Sequence, residues 1–148
     1  RTGINTASGD DNPGDDVHRT FFNALPSNFF YYGMANQVTF QNLVNWFAQL
    51  RLNPAPGLAV QVFLHRFWLA NANDSRYFGP GAFNRSALGF NSSPSNGSRD
   101  VGTEVDLIVT YRLGGQWSLF FGYAYLKGGD VFQGKDTHWA STQVAFKY

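Results

Sequence analysis

The sequence predicts an all-β chain: about six antiparallel strands in up-and-down order, forming part of a transmembrane β-barrel with long outer loops. Three observations carry that prediction. Apolar side chains recur at every second position in several stretches, the period of a strand and not of a helix. Aromatic residues make up 18% of the chain and charged ones only 14%, yet abundant Gly, Asn and Ser keep mean hydropathy slightly negative. That mixture suits a sheet with lipid on one face and water on the other. Connections also alternate in length. Pro54 to Gly57 and Leu113 to Gly115 are short, whereas the segments around 8–40, 70–100 and 127–136 are long.

The chain begins with a weakly alternating stretch, Arg1 to Ala7, which reads as the end of a strand whose start lies upstream. Ser8 to Asp16 is a loop, because Gly, Pro, Asn and Asp occupy it throughout. Its Asp10, Asp11, Asn12, Asp15 and Asp16 offer hard oxygen ligands of the kind calcium takes, although the spacing is not that of an EF-hand. A calcium loop and a solvated acidic turn are both open readings. Thr20 to Thr39 is aromatic, contains Pro26 and has neither period. It reads either as an ordered outer loop folded onto the barrel mouth or as an aromatic girdle at the lipid interface.

Alternation resumes from Asn42 to Leu52, with Val44, Trp46, Ala48, Leu50 and Leu52 on one face and Asn45, Gln49 and Arg51 on the other. Asn53 to Gly57 is a hard turn, and Leu58 to Leu69 sets Leu58, Val60, Val62 and Leu64 against Gln61 and His65. Arg66 then falls on the apolar face, which a bulge near Arg66 to Trp68 or the end of the span would accommodate. Ala70 to Asp100 is a long polar segment with Asn-x-Ser sequons at Asn73, Asn84, Asn91 and Asn96. In a bacterium these are only loop composition.

From Thr103 to Arg112, Val105, Leu107, Val109 and Tyr111 face one way and Glu104, Asp106, Thr110 and Arg112 the other, with Ile108 the exception. Trp117, Leu119, Phe121, Tyr123 and Tyr125 form the next stripe, opposite Ser118, Phe120, Gly122 and Ala124. The last strand separates Val144, Phe146 and Tyr148 from Gln143, Ala145 and Lys147. An alternating strand with aromatics last and third-last looks like the closing strand of a bacterial outer-membrane barrel, the strand the insertion machinery recognises.

Composition narrows the function classes. No run approaches the roughly 18 apolar residues of a membrane helix, which leaves strand-built membrane proteins open. Cysteine is absent, so disulfides, thiol catalysis and thiolate metal sites are excluded. A formal net charge of +1 gives no field pointing to nucleic acid. The three histidines, His18, His65 and His138, lack metal-ligand spacing, and no nucleophile elbow or phosphate-binding loop occurs. The chain is therefore not expected to be an enzyme. The candidate functional set is instead the polar face: Arg51, His65, Glu104, Asp106, Arg112 and Lys147, with Asn45, Gln49, Gln61 and Gln143. Charges lining a pore set what passes. The competing reading is that Arg51 pairs with Glu104 or Asp106 across neighbouring strands.

Several segments together resemble the alginate export family of outer-membrane porins. They are Ala7 to Asp15, Phe21 to Pro26, Phe30 to Met34, Gln41 to Leu43, His65 to Ala70 and Val101 to Leu107. The resemblance implies a single-chain barrel of about eighteen strands with a polar lumen and a basic constriction. It also implies passage of an anionic polysaccharide such as alginate. On this reading residues 1–148 are the C-terminal segment of one barrel domain in the bacterial outer membrane. Its expected partners are outer-membrane lipid, the missing N-terminal strands or other envelope subunits, and an anionic saccharide. Two rivals remain: an outer-membrane scaffold or anchor within a larger assembly, and a soluble β-sandwich binding module.

Overall fold

The computed structural model describes residues 1–23, 29–78 and 91–148. Six long or edge strands form one antiparallel sheet: β1 (Thr2–Ala7), β2 (Leu43–Ala55), β3 (Leu58–Trp68), β6 (Asp100–Leu113), β7 (Trp117–Gly128) and β8 (Thr137–Phe146). Two short strands, β4 (Arg76–Phe78) and β5 (Asn91–Ser93), make a separate hairpin within the β3–β6 connection. The large sheet follows chain order, β1-β2-β3-β6-β7-β8, so it is the expected up-and-down meander. β1 and β8 lie at its opposite edges, each bonded to one neighbour in this chain.

Register turns the separate sequence stripes into two continuous faces. Leu50 opposes Val62, Val62 opposes Leu107, Leu107 opposes Tyr123 and Tyr123 opposes Ala140. Ile4, Trp46, Val109, Phe121, Val144 and Phe146 share that face by alternation. Large apolar side chains on it stay open to the surroundings, with Leu50 at 56% and Val144 at 61%. The opposite, inner face carries Asn5, Asn45, Gln49, His65, Glu104, Asp106 and Trp139.

The core lies against the inner face only. Met34, Ala35 and Val38 of the β1–β2 loop pack there with Leu43, Phe67, Val101, Ile108, Ala124 and Leu126. Of the two readings of this aromatic segment, its described residues fit the inward-folded loop, with Met34, Ala35 and Val38 lying over the polar face of the sheet. Pro26 lies outside the described residues, as does the sequon Asn84.

Local geometry departs from the sequence reading in three places. β2 runs on through Pro54 to Ala55 with a register shift after Leu52, so the turn shrinks to Pro56 and Gly57. Pro56 presets its φ, and Gly57 takes φ +78°, which costs a residue without Cβ little. The irregularity expected near Arg66 belongs to the partner strand. Phe67 opposes Gly102 and Trp68 opposes Asp100, which leaves Val101 as the extra residue of a bulge. Arg66 keeps its place on the outer face because Asp100 pairs with it at 2.7 Å and its guanidinium lies 5.0 Å over the Trp68 ring. Finally, Lys147 falls just beyond β8, where its N–H donates to Gln116 O at 2.8 Å.

Candidate functional site

Glu104 and Asp106 are two residues apart on β6 and therefore project from the same face. Both are buried, at 1% and 2% exposure, beneath the β1–β2 loop. The loop satisfies them with its main chain: Ala35 N–H donates to Glu104 Oε1 at 2.8 Å and Met34 N–H to Asp106 Oδ2 at 3.3 Å. Buried carboxylates need such partners, and backbone donors supply them without a second charge. Gly33 makes the approach possible. It has φ +85°, and a Cβ there would sit 2.6 Å from the Glu104 carboxylate. His65 completes the cluster. Its ring stacks between Phe63 and Phe67 at 5.7 and 5.3 Å, with Nδ1 3.2 Å from Asn45 Oδ1 and Nε2 3.7 Å from Asp106 Oδ2.

The basic candidates sit elsewhere on the same face. Arg51 and Arg112 lie near the short-turn end, where Arg51 opposes Gln61 and Arg112 opposes Ser118. With Lys147 they are exposed. Among the described residues none of the three is in an ion pair, so the cross-strand pairing of Arg51 with Glu104 or Asp106 does not form. Arg51, Ala59, Thr110, Arg112 and Phe120 border a depression of about 770 Å³ at this end. The polar face thus divides into a basic, open half and an acidic half closed by the loop.

The acidic loop is partly paired from within the chain. Arg19 Nη1 lies 2.7 Å from Asp15 Oδ2, 3.5 Å from Asp11 and 3.6 Å from Asp10. Its hydrogen bond holds the Asp15 carboxyl below the usual carboxylate range. Asp10 also accepts from Asn12 N–H and Arg19 N–H. Asn12 and Asp16 are exposed, and among the described residues no three His, Asp or Glu side chains are grouped to hold a metal ion. The guanidinium faces three of the loop's carboxylates.

The outer loops are tied together by residues that the sequence did not single out. Asp74 accepts from Asp10 N–H, Thr20 Oγ1 and Tyr77 Oη. Asn42 bonds Asn71 and Ser75 through its side chain. Arg76 donates to Gln37 O at 2.6 Å, and its guanidinium lies 4.4 Å from the Phe78 ring and 4.3 Å from the Phe132 ring. Burial lowers the Arg76 pKa to about 10. The only sequence signals for these contacts are polar residues at loop positions, which are too common to be read. Glu104-x-Asp106 was more legible, as a carboxylate pair in a strand otherwise short of charge.

An antiparallel sheet with one exposed apolar face, one polar face and an inward-folded loop defines the class of protein. A family model described as alginate export matches residues 1–146, and the chain belongs to that alginate export family. The family points to an export or transport role. A search of curated proteins gave no match.

Proposed function

We propose that the chain forms part of a transmembrane β-barrel of a bacterial outer membrane and serves passage of an anionic sugar or polysaccharide such as alginate. The observation that carries this reading is the division of one sheet into two unlike faces. The outer face carries apolar side chains on all six strands, and Ile4, Leu50, Val62, Val105, Phe121 and Val144 among them remain exposed. β2, β3, β6, β7 and β8 have 13, 11, 14, 12 and 10 residues, enough for tilted strands to cross a bilayer core. β1 and β8 would need partners in lipid, where each unsatisfied backbone group costs several kcal/mol, so further strands complete the barrel. On the inner face Arg51 and Arg112 supply positive charge, and among the described residues neither is in an ion pair. Such charges lower the barrier to an anion and raise it to a cation.

The test is conductance of the complete protein in planar bilayers. The wild type is expected to conduct with anion preference, and Arg51→Gln with Arg112→Gln to reduce that preference without loss of folding. A folded barrel that does not conduct would assign the chain to an anchoring role. Unchanged ion preference in the double variant would remove these arginines from the path.

A further inference from the structure

We infer that the β1–β2 loop builds a pyranose-stacking subsite on the inner face, one that holds a sugar ring through its apolar face and its hydroxyls. The inference deepens the transport reading and rests on it for the position of the site along the solute's path. Four consecutive aromatics, Phe29 to Tyr32, divide into two pairs. Phe29 packs edge-on against Trp139 at 4.9 Å, and Tyr32 stacks parallel on Phe40 at 5.1 Å, so these two anchor the turn to the core. Phe30 and Tyr31 between them stay exposed, at 59% and 61%, on the polar side of the sheet. The Ala35–Glu104 and Met34–Asp106 bonds fix the following residues, which holds the two rings in place.

Beneath these rings is a hollow of about 120 Å³ lined by Phe30, Tyr31, Asn5, Gln49 and Phe63, with His65 and with Arg1, whose guanidinium lies 5.3 Å over the Phe47 ring. Gln49 Nε2 is already committed to Gln61 Oε1 at 3.0 Å, which orients its own Oε1 as an acceptor. The Asn5 amide makes no hydrogen bond to the described residues. Exposed aromatic faces beside the Asn5 and Gln49 amides and the Arg1 guanidinium match the apolar face and the hydroxyl edge of a pyranose. The ring C–H face lies on the aromatic ring, and edge hydroxyls exchange paired bonds with Asn and Gln. A lipid chain would leave the amides unpaired, and an inorganic anion would gain nothing from the rings.

The experiment is calorimetric titration of the complete, detergent-solubilised protein with mannohexaose, a neutral probe, at low and high salt. Binding is expected to be insensitive to salt, to weaken about tenfold in Tyr31→Ala and in Gln49→Ala, and to survive in Tyr31→Phe, which keeps the ring. Heat-modifiable mobility on gels reports folding of each variant, and Phe30→Ala replaces Tyr31→Ala if the latter fails to fold. Absence of mannohexaose binding by the wild type, or equal binding by the alanine variants, would overturn the subsite. A non-conducting protein that still binds the sugar would sink the transport reading and leave the subsite standing.

Discussion

Ala35 N–H reaches Glu104 Oε1 at 2.8 Å across 69 positions of chain, and with it the β1–β2 loop is fastened to the wall of the sheet. The loop's next residue back in the chain does the same, Met34 to Asp106. Removal of Glu104 leaves a buried donor without its acceptor. Glu104→Ala is therefore expected to destabilise the folded protein by about 1–3 kcal/mol. Amide exchange at residues 30–42 should accelerate most. Unchanged protection of those amides would show that the carboxylate does not hold the loop.

Gly33 tests the same fastening from the other side. Its φ of +85° and the closeness of the Glu104 carboxylate leave no room for a methyl group. Gly33→Ala should cost at least about 1–2 kcal/mol from backbone conformation alone. Gly97, with φ +73° and open space around it, carries the conformational term without the clash. A Gly97→Ala variant with an equal loss of melting temperature would remove the clash from the explanation.

The two faces make opposite predictions for one charge. Leu107 is on the outer face and Thr110 on the inner. A charge facing lipid at mid-depth costs roughly 2–4 kcal/mol, and one facing an aqueous lumen little. Leu107→Arg should thus impair folding into vesicles far more than Thr110→Arg. Equal folding yields would contradict the assignment of faces.

Arg19 should substitute for metal in the loop from Ser8 to Asp16. Chelators are expected to leave its protease resistance unchanged, whereas Arg19→Ala should open it to cleavage. The sign of the pH dependence follows from Asp15, whose folded pKa lies below its unfolded value. Its contribution is present above the unfolded value and is lost as pH falls through the depressed one. Cleavage of the wild-type loop should therefore rise only below the ordinary carboxylate range, and in Arg19→Ala that step should be largely lost, because the pair is absent at every pH. Protection that depends on added calcium would restore the metal reading.

Most of the sheet was legible because its cause is local. Val105, Leu107 and Val109 alternate with Glu104 and Asp106 whatever the rest of the chain does, and the short turns carry their own Gly and Pro. The expected antiparallel meander, its order and the placing of Arg51, His65, Glu104, Asp106 and Arg112 on one face all follow from that period. The irregularity expected near Arg66 to Trp68 falls there, between Phe67 and Trp68, but its extra residue, Val101, is on the partner strand, because a register shift belongs to a pair and the sequence of one partner cannot assign it. The inward loop was only half legible. Aromatics at Phe29 to Tyr32 advertised burial somewhere, but Ala35 and Met34 bond through main-chain groups that every residue has. The Arg76 clamp was invisible for a related reason: Phe78, Phe132 and Gln37 come from three separate connections.

The wall carboxylates grip peptide N–H groups, and the side chains of Met34 and Ala35 add core packing to that grip. The hydrogen bonds constrain Gly33, Glu104 and Asp106, the core holds Phe29, Tyr32, Met34 and Ala35, and the exposed Phe30 and Tyr31 are left open to drift. Phe30 and Tyr31 could then be exchanged for other side chains while the segment keeps its seat. A library varied at those two positions, with the three fixed residues retained, would be a route to redirecting which cargo the protein prefers without rebuilding its frame.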